Sequence, residues 1–108
     1  MRENELGFQQ MTRDEVIFKL KAHEGELRAA GILRLAVFGS VARGDNSAES
    51  DVDLLAEFDK SRRYTLLTLG RLESRLAELL GAKVDLSAPE WLKDSVSDRA
   101  RREAVNAF

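Results

Sequence analysis

The chain has no cysteine, one proline and one histidine, and nowhere in its 108 residues does an apolar run approach the ~20 residues of a membrane span. Without cysteine there are no disulfides and no thiolate metal sites, and the lone His23 cannot make a zinc site by itself. Any metal must therefore be held by oxygen. Seventeen basic residues against nineteen acidic ones leave a formal charge of −2. The arginines near the C-terminus are interleaved with Asp94, Asp98 and Glu103. Nonspecific nucleic-acid binding needs concentrated basic charge, so no direct nucleic-acid binding is expected. The N-terminus lacks a basic region followed by an apolar one, which makes the cytoplasm the expected location and leaves no role for a membrane. What the chain does have is 44% hydrophobic residues, enough for a domain of this size to bury a core without staples. Residues 1–108 are expected to form a single domain.

Thr12 followed by Glu15 is a capping-box pattern, after which Val16, Leu20 and Leu27 recur at helical spacing as far as Gly31. The spacing predicts one helix ending at that glycine. Residues 33–38 are short, apolar and bounded by glycines, which suits a buried strand. From Asp51 to Phe58 the pattern alternates: Val52, Leu54, Ala56 and Phe58 share one side, while Asp51, Asp53, Leu55 and Glu57 share a largely acidic other side. Between Tyr64 and Leu80 a leucine stripe predicts an amphipathic helix stopped by Gly81. Residues 83–86 predict a third strand, with Asp85 on its non-core side. Ser87 and Glu90 form a second capping-box pattern that predicts a last helix from about Pro89.

The chemistry lies in Gly39-Ser40-Val41-Ala42-Arg43-Gly44-Asp45 and in Ser50-Asp51-Val52-Asp53-Leu54. Gly39 leaves room for a phosphate to approach the backbone, Ser40 offers a hydroxyl and an amide, and the amides of the turn after it can face an anion. Arg43 offers either a phosphate contact or an exposed loop charge. Asp51 and Asp53, two residues apart on one strand, project from the same face with Cα atoms roughly 7 Å apart. Such carboxylates suit a pair of magnesium ions about 4 Å apart, the arrangement that assists nucleotidyl transfer. Asp85 completes the set if its strand lies beside the second.

Other glycine-loop templates fail on specific positions. A Walker A loop needs Lys and then Ser or Thr after its second glycine, and here Asp45 and Asn46 follow Gly44. A dinucleotide fingerprint needs a third close glycine. An EF-hand beginning at Asp45 would need glycine and glutamate where Ser50 and Ala56 stand. Among the remaining residues, Ser50 is expected to cap a turn, His23 to pack or lie at the surface, and Trp91 to complete the core. The run from Arg62 to Tyr64 is expected to be a solvated loop.

With Gly39-Ser40, Gly44, Ser50-Asp51-Val52-Asp53-Leu54 and Val84-Asp85-Leu86 all in place, the chain resembles a minimal nucleotidyltransferase of the DNA polymerase beta-like superfamily. The resemblance runs from the first helix through Asp85. It implies an α/β (α+β) fold with a small mixed sheet of about three strands flanked by helices. It also implies two Mg2+ ions on Asp51, Asp53 and Asp85, and ATP held by Gly39 and Ser40 with Arg43 nearby. Members this short resemble the antitoxin of two-gene systems whose toxin is a HEPN-class ribonuclease, and as a family they transfer AMP to a toxin tyrosine. Two other roles fit the resemblance: a non-catalytic antitoxin that neutralises its toxin by binding and, more weakly, a small-molecule nucleotidyltransferase. The residues after Asp85 are too few for a separate acceptor domain. The acceptor surface is therefore expected from another chain, a partner or a second copy.

Overall fold

The computed structural model describes residues 11–108. The capping box at Thr12 forms: the Glu15 N–H donates to Thr12 Oγ1 at 3.1 Å, and the Thr12 N–H donates to Glu15 Oε1 at 2.8 Å. The single helix predicted up to Gly31 is instead two, α1 (Arg13–Ala22) and α2 (Glu24–Ala29). His23 makes the break. Its ring Nδ1 lies 2.9 Å from the Lys19 carbonyl, which would accept the His23 N–H in an unbroken helix, and that N–H turns to Leu20 O at 3.1 Å.

Strand β1 (Ile32–Phe38) leads directly into a five-residue helix, α3 (Gly39–Arg43), and β2 (Val52–Phe58) follows. Helix α4 (Leu66–Leu80) starts two residues later than the stripe suggested. Thr65 caps it in reciprocal bonds with Thr68, and Tyr64 stays outside, its hydroxyl donating to Asp59 O at 2.9 Å. Leu72, Leu76 and Leu80 are its buried stripe. After β3 (Val84–Ser87), the second capping box does not form. Residues Pro89–Trp91 make a 3-10 turn with no side-chain cap, and Leu92 is extended. The Trp91 ring stacks on Phe58 with centroids 5.5 Å apart, pinning the turn to the sheet, and α5 (Asp94–Glu103) begins only beyond it. Trp91 is nevertheless 49% exposed, so it edges the core rather than filling it.

The sheet has four strands, one more than predicted, in the order β3-β2-β1-β4. The fourth, β4 (Val105–Asn106), is a two-residue edge antiparallel to β1. Two residues are too short for an alternation to be seen in sequence. β1 and β2 run antiparallel, and β2 and β3 parallel, so the sheet is mixed. One face, carrying Leu35, Val37, Leu54, Ala56 and Phe58, packs into the core with α1, α2 and α4. The other carries Ala36, Asp53 and Leu55 (Ala36 and Leu55 are buried), and α5 packs on it through Ser97 and Ala100. The face read as largely acidic is therefore half covered, and Leu55 belongs to a second packed layer. Among the described residues, no helix is long and apolar enough to cross a membrane.

Candidate active site

The glycine turn is built from the end of β1. Gly39 adopts φ +74°, a left-handed conformation that L side chains avoid, and Gly44 closes α3 at φ +82°. Between them Val41 and Ala42 are buried and root the turn in the core. The Ser40 carbonyl accepts the N–H groups of Gly44 at 2.9 Å and Asp45 at 3.0 Å. The first amides of this short helix have no intrahelical acceptor, and Phe38 at its N-cap makes no side-chain cap bond. Ser50 caps the following turn as predicted, its Oγ accepting the Ser47 N–H at 2.8 Å.

Asp53 and Asp85 come together through strand pairing. Asp53 and Asp85 are register partners on parallel β2 and β3, which puts neighbouring backbones about 4.8 Å apart. Asp51 lies just before β2, and the Val52 N–H donates to Lys83 O at 2.8 Å, tying the start of β2 to the chain entering β3. On the other side Asp53 pairs with Phe38, the residue before Gly39. A Cβ built on Gly39 would land on the Asp53 carboxylate. Glycine at this position is thus required twice, for its backbone angle and for the space Asp53 fills.

Burial first, then the charges of Asp85 and Asp51, pushes the Asp53 carboxyl above the usual carboxylate range, with Arg43 partly opposing them. A half-buried carboxyl whose proton affinity is raised by burial and by the charges of two neighbouring carboxylates is donor chemistry that favours a hard divalent cation. Among the described residues no three such groups form a ready-made ion cage. An open set still fits Mg2+, which keeps several waters and takes one or two carboxylates together with substrate phosphates.

Phe38, Gly39, Ser40, Arg43 and Asp53 line a cleft of about 270 Å³ whose other wall is Val96, Arg99, Ala100 and Glu103 of α5. Arg43 sits in it with its guanidinium engaged, Nε donating to Asp45 Oδ2 and Nη1 to Glu103 Oε1, both at 3.1 Å. The α5 wall is the part that the motif does not contain. The Ser87–Glu90 pattern predicts a last helix in this part of the chain, but not what its face meets.

A mixed sheet that sets a glycine turn against carboxylates on adjacent strands defines an enzyme of nucleotidyl transfer. The chain belongs to the nucleotidyltransferase domain family, whose model matches residues 20–107. It is 38% identical over 96 residues to the protein adenylyltransferase MntA of Thermococcus cleftensis, covering 88% of this chain and 95% of that protein. A solved minimal nucleotidyltransferase superposes with a TM-score of 0.74 at 35% identity, over 90% of this chain and 97% of the other. The fold also matches a chain in the complex of a tri-AMPylated Shewanella oneidensis HEPN toxin with an MNT antitoxin. There the TM-score is 0.62 at 15% identity, over 86% of this chain and 71% of that one.

Proposed function

We propose that the chain is a Mg2+-dependent protein adenylyltransferase that moves AMP from ATP onto a hydroxyl, that of a tyrosine, on a HEPN-class ribonuclease toxin, and so acts as its antitoxin. The observation that carries this reading is the register of Asp53 beside Asp85, with the bare Cα of Gly39 against the Asp53 carboxylate. That geometry sets the glycine turn against the Asp53 carboxylate, with Asp85 on the adjacent strand. Similarity to an adenylyltransferase over nearly its whole length supports AMP as the group transferred, and the fold shared with a chain of a toxin–antitoxin complex supports the partner.

In this reading the amides of Gly39 and Ser40 hold the triphosphate, and Arg43 adds a cation at the same end. Asp51, Asp53 and Asp85 would hold two Mg2+ ions, whose chemistry when bound is to offset phosphoryl charge and make the acceptor hydroxyl more acidic. Asp85, on the edge strand, stands on the acceptor side and assists the attacking oxygen. A bond forms between that oxygen and the α-phosphorus, the bond to the β-phosphate bridge breaks, pyrophosphate leaves, and the hydroxyl proton passes to Asp85 or solvent. The same reading puts the reaction in the cytoplasm.

Intact mass spectrometry of the toxin, made with and without this chain, is the direct test. One or more AMP additions that disappear with the Asp51→Asn/Asp53→Asn double variant are expected. Full neutralisation by the double variant, with no mass gain in either case, would show an antitoxin that works by binding. Transfer to a small acceptor alone would show a small-molecule enzyme.

A further inference from the structure

Val96, Arg99, Ala100 and Glu103 recur at the three- and four-residue intervals that return to one side of a helix, and that side of α5 faces the cleft beside Gly39 and Ser40. The cleft contains two cations and two carboxylates. Arg43 is held between Asp45 and Glu103, which take up its charge and two of its donor positions. Arg99 is exposed and takes part in no ion pair among the described residues. A nucleoside triphosphate would bring several negative charges to a site that already holds Asp53 and Glu103, and a cation on the opposite wall that has no ion pair among the described residues offsets them most directly. A guanidinium also presents a planar fork that fits phosphate oxygens two at a time.

We propose that Arg99 is a triphosphate-binding residue of this site, gripping the phosphates from the α5 wall while the glycine turn holds them from the other. The assignment rests on the nucleotidyl-transfer reading above. It adds a binding group from a helix that lies outside the Gly-Ser and aspartate motifs.

Calorimetric binding of a non-hydrolysable ATP analogue and of inorganic tripolyphosphate, with Mg2+ present, tests it on wild type, Arg99→Gln and Arg99→Lys. Loss of one charge-assisted contact predicts about 10- to 100-fold weaker binding of both ligands by Arg99→Gln, with Arg99→Lys between it and wild type. In the transfer assay Arg99→Gln is expected to raise the KM for ATP more than it lowers kcat. Arg99 is exposed, so the melting temperatures of the three proteins should coincide, and a purely structural role would not weaken tripolyphosphate binding at an unchanged melting temperature. Wild-type affinity in Arg99→Gln would overturn the assignment while leaving the enzyme reading intact. A wild-type chain that binds neither ligand would overturn both.

Discussion

Replacing Gly39 by alanine separates two requirements that meet at one atom. At φ +74° an L residue costs about 1–2 kcal/mol through the clash of its Cβ with the backbone. The added Cβ also meets Asp53, with the carboxyl carbon 3.1 Å and the Asp53 Cβ 3.2 Å away and a carboxylate oxygen nearer still. Asp53 is only half-buried, so its carboxylate can swing aside at small cost to stability. A carboxylate moved by about 1 Å, however, is enough to lower catalysis some 100-fold. Gly81 is the control: it has φ +68° at the end of α4, with open space where a Cβ would go. Gly39→Ala and Gly81→Ala should therefore lose similar stability, each kcal/mol lowering the melting temperature by roughly 4–8 °C for a domain of this size. Only Gly39→Ala should lose transfer, by about 100-fold or more. Melting curves and the initial rate of AMP transfer from labelled ATP measure the two effects. Equal transfer rates in the two variants would refute the idea that the missing Cβ makes room for Asp53.

The raised proton affinity of Asp53 gives a stability effect of definite sign. Because the folded chain binds this proton more tightly than the unfolded one, the contribution favours folding below the ordinary carboxylate range and is lost as pH rises through the raised value. In chelator-treated protein Asp53→Asn should thus raise the melting temperature at pH 7 and do so little or not at all at pH 3; equal shifts at both would count against a raised proton affinity at Asp53. Leu76, fully buried on α4, should cost about 2–5 kcal/mol when cut to alanine, as read by denaturant unfolding. A loss below about 1 kcal/mol, the size of an average substitution, would mean that the leucine stripe does not close the core.

The strongest local signals in the chain correspond to real structure wherever only near neighbours decide. The Thr12–Glu15 capping box forms because its partners are three residues apart, and the same pattern at Ser87–Glu90 fails because a distant contact, Trp91 on Phe58, holds that segment in a 3-10 turn. His23 breaks a helix that its leucine spacing had promised, since its ring competes for the Lys19 carbonyl. β4 escaped notice because an edge of two residues draws its identity entirely from β1.

The same division runs through the candidate site. Gly39, Ser40 and the alternating Asp51 and Asp53 are legible in the sequence, since backbone angles and the two-residue period of a strand are properties of adjacent residues. The adjacency of Asp53 and Asp85, the covering of Leu55, the pairing of Arg43 with Glu103 sixty residues away, and the α5 wall with Arg99 are not. Those depend on which strand lies beside which and on which face a helix lays down, and long-range burial settles both only once the whole chain has packed.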